Sequence, residues 1–178
     1  MRAFIAINFK EIFKKQIYTY ANELLANNFF EFRQIKKDNI HLTIHFLGNI
    51  SNQVDNIVER LDTLLDYEFE FIMELNKWDY FSARKGKLVW VGVKFEEKLF
   101  RIASLIRNEF SDINKEKRDF IPHITIARKG KLMDKTIHKK KINLSIPVKK
   151  ISLMKSEFTN KGVKYKEIFN KQLTRKDI

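Results

Sequence analysis

Apolar and polar residues alternate with a period of two in five stretches of the chain, which predicts β-strands at residues 3–8, 40–47, 88–93, 121–127 and 151–159. Three other stretches, residues 10–26, 52–65 and 96–110, carry apolar residues at helical spacing. The mixed order of strands and helices favours an α+β fold with antiparallel sheets over a doubly wound parallel sheet. Asn160 and Gly162 separate two strand-like runs near the C-terminus and predict a tight hairpin there.

The chain of 178 residues contains five Gly and two Pro, and no Gly-, Pro- or Ser-rich linker divides it. We therefore expect residues 1–178 to form one domain. An approximate repeat divides the chain, because a predicted helix precedes each of two similar strands whose first histidines, His41 and His123, lie 82 residues apart. This predicts two pseudo-symmetric lobes, a sandwich of antiparallel sheets with helices packed outside, and a cleft between the lobes.

The two similar strands share the pattern His-x-Thr. One reads "NIHLTIHFLG" and contains His41 and Thr43; the other reads "IPHITIAR" and contains His123 and Thr125. Alternate side chains of a strand share a face, so each His and its Thr point the same way, about 7 Å apart or less. Strict alternation also predicts that the residues between and after them point into the core, namely Leu42, Ile44, Phe46, Ile124 and Ile126.

Two imidazoles and two hydroxyls that converge in a cleft are the groups that phosphoryl transfer from an internal ester needs. A neutral imidazole can accept a proton from water and an imidazolium can donate one to a leaving oxygen, since an ordinary imidazole pKa of about 6.5 makes both forms accessible. The hydroxyls of Thr43 and Thr125 can donate hydrogen bonds to the phosphoryl oxygens. We expect no metal ion to be required.

The other two histidines fit this chemistry less well. His41 and His45 have the i, i+4 spacing of zinc ligands on a helix, but "HLTIH" lacks the acidic second residue of a zinc-protease motif. His45 would share the face of His41 on a regular strand, yet a packed or surface histidine is the better expectation. His138 lies in "IHKKKI" and is expected to be a solvated member of a basic run.

Arg128 follows Thr125 by three positions and is a candidate phosphate clamp, with a surface charge as the equal alternative. The aromatic residues of "KWDYF" are candidates for stacking on a base, chiefly Tyr80 and Phe81, with Trp78 beside them. Aromatics at strand spacing are more often part of a core, so this second group of residues is the weaker one.

The net charge of +13 indicates a polyanionic partner, and from residue 128 to 150 nine basic residues accompany one acid, Asp134. The absence of cysteine excludes disulfides and cysteine zinc sites. No stretch approaches the roughly 20 apolar residues of a membrane span, and the apolar run at the start is too short for a signal peptide. We expect a cytoplasmic protein with no membrane association.

These motifs resemble those of the two-histidine phosphoesterase superfamily, and within it the RNA 2',3'-cyclic phosphodiesterases, also called the 2'-5' RNA ligase family. The resemblance extends over the blocks "RAFIAI", "NIHLTIHFLG", "LVWVGV", "FIPHITIAR" and "ISLMKSEFTNKGVKYKEI". The chain departs from the family pattern at Phe9 and Lys10, where Leu-Pro is usual.

The resemblance implies metal-independent hydrolysis of a ribose 2',3'-cyclic phosphate to a 2'-phosphomonoester, with His41 as proton donor and His123 as proton acceptor. It also implies a substrate of RNA or nucleotides with cyclic phosphate ends, no cofactor, a monomer, and reverse ligation to a 2'-5' bond as a possible side reaction. The residues themselves do not decide which histidine plays which role. The alternative from another class is a basic RNA-binding module without catalysis.

Overall fold

The computed structural model describes residues 1–133, 141–160 and 162–175. The helices in these ranges are α1 (Glu11–Asn28), α2 (Val54–Leu64) and α3 (Glu97–Glu109), and a short 3₁₀ turn spans Lys37–Asn39. The strands are β1 (Arg2–Asn8), β2 (Phe29–Gln34), β3 (His41–Asn49), β4 (Phe71–Ala83), β5 (Gly86–Val93), β6 (His123–Leu132), β7 (Ser145–Val148), β8 (Lys150–Thr159) and β9 (Gly162–Gln172).

The strands form one antiparallel sheet in the order β7-β4-β5-β6-β3-β1-β8-β9, with β2 paired to the second part of β6. The sheet has two halves, β9-β8-β1-β3 and β6-β5-β4-β7, which meet where Leu42 of β3 pairs with Ile124 of β6. The α+β class is confirmed. The two antiparallel sheets expected from the sequence are joined at this central pair, and the two His-x-Thr strands are the strands that join them.

The main core lies on the face of the sheet that the helices cover. Apolar residues of all three helices are buried there against the sheet, including Ile17, Ile57 and Ile102, together with Leu42 and Ile124. A smaller buried cluster lies on the opposite face of β1, formed by Phe4, Ala6 and Met154. None of the helices within the described ranges is long and apolar enough to cross a membrane. The face without helices is the face on which His41 and His123 lie.

Three strands, β2, β4 and β7, are absent from the sequence-based prediction. β2 pairs with β6 alone and buries little besides Phe29, so its sequence shows no alternation. β7 is a four-residue edge strand that contains Pro147, a residue tolerated in sheets mainly at edges. The predicted C-terminal hairpin is confirmed by β8 and β9, with Thr159 opposite Gly162 and a φ of 103° at that glycine.

Candidate active site

The two His-x-Thr motifs meet across the pair of strands at the centre of the sheet. Leu42 and Ile124 are direct partners, and both are fully buried in the main core. The antiparallel register on either side of this pair places His41 across from Thr125 and Thr43 across from His123. Because neighbours on a strand point to opposite faces, all four polar side chains share the face away from the helices. The convergence predicted from the sequence therefore has a direct structural basis.

Both imidazoles are held in the same way by the backbone. His41 Nδ1 donates to the carbonyl oxygen of Asn39 at 2.7 Å, and His123 Nδ1 donates to the carbonyl oxygen of Ile121 at 2.7 Å. A carbonyl can only accept, so in the neutral ring the proton is on Nδ1 and Nε2 carries the lone pair. The hydroxyl of Thr43 lies 3.0 Å from Nε2 of His41 and donates to it in this state. In both rings Nε2 is therefore the nitrogen that is not bonded to the backbone.

Each imidazole lies between two aromatic rings. The ring centroid of His41 is 4.9 Å from that of Phe4 and 5.0 Å from that of Tyr165. The ring of His123 lies 5.3 Å from Phe81 and 6.0 Å from Trp90. Contacts with these rings limit rotation of the imidazoles, which favours a fixed geometry.

Burial lowers the pKa of His41 to about 4, and the hydrogen bond to the Asn39 carbonyl offsets only part of this effect. The positive charges of Lys14 and Arg128 lower the pKa further, because they disfavour the imidazolium form. His41 is consequently neutral near pH 7 in the ligand-free protein. Among the described residues there is no group of three His, Cys, Asp or Glu side chains that could hold a metal ion.

A β-bulge at the same position of both central strands changes the direction of the residues that follow. Thr43 and His45 oppose Ala6 and Ile5 of β1, so Ile44 is the extra residue on β3. Thr125 and Ala127 likewise oppose Trp90 and Val89 of β5, so Ile126 is the extra residue on β6. Each bulge buries two consecutive residues and returns the next one to the site face.

The first bulge makes the expectation for Phe46 wrong. Strict alternation predicted a core residue there, but the shift leaves Phe46 55% exposed and buries His45 completely. His45 is therefore a packed histidine that faces away from His41. Its Nδ1 is 3.6 Å from a Glu116 carboxylate oxygen.

The second bulge brings Arg128 to the same face as Thr125, where regular alternation would turn it away. Its charge acts on His41, and it makes no ion pair with any carboxylate in the described ranges. Arg128 thus lies beside the site with its guanidinium free to bind an anion. The position equivalent to Arg128 on the other strand is that of Phe46.

The structure brings one member of the "KWDYF" group to the site. Phe81 contacts the rings of His123 and Trp90, with its centroid 5.0 Å from that of Trp90. Trp78 is buried in the main core, and Tyr80 packs against that core on the same face of β4. Tyr80 carries Lys87 over its ring at 4.5 Å and is not among the rings around His123. Tyr80 therefore lies on the core face of β4, opposite to the face of Phe81 and His123, which does not fit its prediction as a base-stacking residue. His138 lies outside the described residues.

Several residues of the site were not found from the sequence. Phe4, Trp90 and Tyr165 lie on strands far from the motifs in the chain, and their proximity depends on sheet topology. Asn39 is the exception, since it stands two residues before His41. Its side chain donates to the Val163 carbonyl at 2.8 Å and accepts from the Tyr165 N–H at 3.2 Å. Its backbone carbonyl accepts the hydrogen bond from Nδ1 of His41.

Comparison with known families identifies the family of the chain. The family model of the 2'-5' RNA ligase superfamily matches residues 18–159, which include both His-x-Thr motifs. The chain belongs to this superfamily. Curated relatives of this superfamily member include a protein of Thermotoga maritima, 31% identical over 131 residues that cover 72% of this chain and 70% of the relative. Another, from Methanocaldococcus jannaschii, is 26% identical over 180 residues, 94% of this chain and 98% of the relative. Both are named RNA 2',3'-cyclic phosphodiesterase.

Solved structures of the superfamily have the same fold. The ligand-free structure of Escherichia coli LigT matches with a TM-score of 0.80 and 25% identity, covering 97% of both chains. The structure of LigT in complex with 3'-AMP matches equally well, with a TM-score of 0.80, 25% identity and coverage of 97% of this chain and 98% of that one.

Proposed function

We propose that the protein hydrolyses the 2',3'-cyclic phosphate at the end of an RNA strand or nucleotide to a 2'-phosphomonoester without a metal ion. The observation that carries this proposal is the paired arrangement of His41 and His123. Both imidazoles are fixed through Nδ1, lie on one face across the central strand pair, and have a threonine two residues on. The names of the curated relatives support the same activity.

In the proposed reaction, the phosphorus lies between the two Nε2 atoms. Nε2 of His123 accepts a proton from a water molecule as the water oxygen bonds to phosphorus. The bond from phosphorus to the ribose 3'-oxygen breaks, and Nε2 of His41 donates a proton to that oxygen. The 2'-oxygen keeps the phosphate. Reversal of the same transfers, with a 5'-hydroxyl group in place of water, would form a 2'-5' bond.

The environment of His41 sets a condition on its role as donor. Its pKa of about 4 leaves the ring neutral in the ligand-free protein, so a proton must bind to it when the substrate does. The negative phosphate provides the reason, because an anion beside the ring favours the imidazolium form. We infer that substrate binding raises the pKa of His41 and thereby prepares the proton donor.

The neighbouring side chains bind and orient the phosphate in this proposal. The Thr43 hydroxyl now bonded to His41 would turn to a phosphoryl oxygen once the imidazole is protonated, because Nε2 then becomes a donor. Thr125 donates from the opposite strand. Arg128 supplies a positive charge beside the site, and Phe81 offers an aromatic edge for the ribose or base.

We expect His41→Ala and His123→Ala each to lower kcat for adenosine 2',3'-cyclic phosphate by about 10²- to 10⁴-fold, since each variant removes one proton transfer. Turnover is measured by chromatographic separation of 2'-AMP and 3'-AMP, in the presence of EDTA. Thr43→Val and Thr125→Val keep the shape of the side chain and remove one donor, and should lose less activity than the histidine variants.

Circular dichroism and thermal unfolding serve as controls that the variants remain folded. Wild-type turnover retained in either folded histidine variant would overturn the assignment, and so would a 3'-AMP product. Salt-dependent RNA binding with no turnover by the wild type would instead favour the non-catalytic RNA-binding module.

A further inference from the structure

Two arginines oppose each other across an edge pair of strands next to the active site. Arg33 of β2 is the direct partner of Arg128 of β6. Like charges directly opposite each other on a sheet are unfavourable, and neither guanidinium is paired with a carboxylate of the described residues. The neighbouring pair of the same two strands, Glu31 and Lys131, has opposite charges and forms an ion pair of 2.5 Å. The arginine pair therefore lacks the opposite charge that stabilises the Glu31–Lys131 pair.

A cleft of about 150 Å³ opens beside this arginine pair. One wall runs from Arg33, near the end of β2, to Asn39, and the opposite wall is the first part of β9. The residues that line it are Arg33, Gln34, Ile35, Lys36, Asn39, Arg128, Gly162, Val163 and Tyr165. Among the described residues of its lining there are three cations, Arg33, Lys36 and Arg128, and no carboxylate. A Cβ added at Gly162 would lie 3.7 Å from an Arg33 guanidinium nitrogen, which shows that this side chain reaches across to the hairpin.

The cleft is continuous with the active site through residues that they share. Asn39 and Tyr165 line the cleft, and both contact the ring of His41. Arg128 lines the cleft and acts on the charge of His41. Along β6, Arg128 lies three residues from Thr125, roughly 10 Å. An anion between the two arginines would therefore lie one to two nucleotides from a phosphate held by the histidines.

We propose that Arg33, together with Arg128, forms a second phosphate subsite that binds an internal phosphodiester of an RNA strand whose cyclic phosphate end lies between His41 and His123. The proposal rests on the proposed function and specifies its substrate class as oligonucleotides. Two guanidinium forks match the two free oxygens of a phosphodiester, which compensates the repulsion between the arginines. The subsite contacts the phosphate and the backbone, so it adds affinity without base specificity.

The test compares two substrates in the wild type and in the variants Arg33→Gln, Lys131→Gln and Arg33→Glu. The substrates are adenosine 2',3'-cyclic phosphate and a tetraadenylate that ends in a 2',3'-cyclic phosphate. The quantity measured is the ratio of kcat/KM for the tetranucleotide to kcat/KM for the mononucleotide. We expect the wild type to prefer the tetranucleotide at least tenfold, and Arg33→Gln to lower the ratio about tenfold. Lys131→Gln is the matched control, because it removes a paired cation from the same two strands, and its ratio should stay within twofold of wild type.

Arg33→Glu provides a second measurement, because its expected result differs from that of a variant that fails to fold. A carboxylate opposite Arg128 copies the Glu31–Lys131 pair, so this variant should unfold at a higher temperature than the wild type while its ratio falls below that of Arg33→Gln. A lower unfolding temperature in this variant would contradict the view that the arginine pair is kept for a ligand.

A binding measurement separates the subsite from the reaction. The probe is a fluorescein-labelled tetraadenylate with a 3'-phosphate end, which has no cyclic ester to hydrolyse, and its Kd is measured against salt concentration. Removing one phosphate contact should reduce the slope of log Kd on log salt by about 0.7 in Arg33→Gln and leave it unchanged in Lys131→Gln. Unchanged slopes in both, or equal loss of activity on both substrates in Arg33→Gln, would overturn the subsite. If the wild type hydrolyses neither substrate, the proposed function fails, and the slopes alone decide the subsite.

Discussion

At the scale of single residues, the environment of His41 is unlike that of an ordinary surface histidine. Two aromatic rings, Phe4 and Tyr165, enclose it, and its two ring nitrogens are bonded to the Asn39 carbonyl and the Thr43 hydroxyl. A neutral His41 imidazole can make all four of these contacts. The histidine pair itself could be predicted because each motif is local in sequence. The rings that enclose it could not, because Phe4 and Tyr165 are brought together by strand pairing over more than half the chain.

We expect the imidazole of His41 to stay neutral down to about pH 4 in the ligand-free protein, because burial and neighbouring cations disfavour its charged form. The measurement is a nitrogen-15 NMR titration of the histidine side chains, with His41→Gln used to assign the signal. Saturation with 2'-AMP, the product of the proposed reaction, should raise this pKa by at least one unit, since its phosphate would lie beside the ring. A titration midpoint near 6.5 in the free protein would contradict the burial argument.

At the scale of the elements, the two β-bulges explain why strict alternation along β3 and β6 does not predict which residues face the core. A β-bulge adds one residue to a strand and leaves no mark in the alternation of the sequence. Alternation therefore predicts a core position for Phe46 and does not decide which face of the sheet Arg128 lies on. For His45 the sequence leaves a packed or a surface position open, and the bulge buries it completely. Edge strands β2 and β7 were missed because they bury few residues, whereas the helices, whose apolar faces cover the sheet, were located within a few residues of their ends.

The hairpin of β8 and β9 depends on Asn39 for its position against the active site. We expect Asn39→Ala to lower the unfolding free energy by about 1–3 kcal/mol, because it leaves the Val163 carbonyl and the Tyr165 N–H without their partner. It should also lower kcat tenfold or more, because Tyr165 is no longer held against His41. Chemical denaturation and cyclic-phosphate turnover measure the two effects.

The matched control for this variant is Asn27→Ala, since the Asn27 side chain is exposed and bonds only within α1 among the described contacts. It should change neither quantity appreciably. An Asn39→Ala variant with wild-type kcat would show that Tyr165 reaches its place without this contact.

At the scale of the whole molecule, the central strand pair links the active site to the stability of the fold. His41 and His45 both have a pKa lowered chiefly by burial, and both lie on the strand that joins the two halves of the sheet. A histidine that is neutral when folded and ordinary when unfolded binds its proton preferentially in the unfolded state. Stability from such a group is therefore present above the unfolded pKa of about 6.5 and is lost as the pH falls below it.

We expect the unfolding free energy to fall between about pH 6.5 and pH 4, with His41 contributing up to about 3 kcal/mol of the loss over this window. His45→Leu should flatten part of this slope, because it removes one buried group that must become charged, and should leave stability at pH 7 about equal to wild type. Urea unfolding at a series of pH values measures the slope. An identical slope in His45→Leu and wild type would argue against a contribution from His45.

The pairing of Leu42 with Ile124 also acts as an approximate two-fold axis, which relates His41 to His123 and Thr43 to Thr125. A site with full two-fold symmetry would accept a cyclic phosphate in two opposite orientations with equal affinity, and could not distinguish the 2'-oxygen from the 3'-oxygen. The axis also relates Phe46 to Arg128, an apolar ring to a cation. That mismatch is one of the differences that remove the degeneracy, and with the proposed catalytic roles it would give the two motifs a direction along the RNA strand.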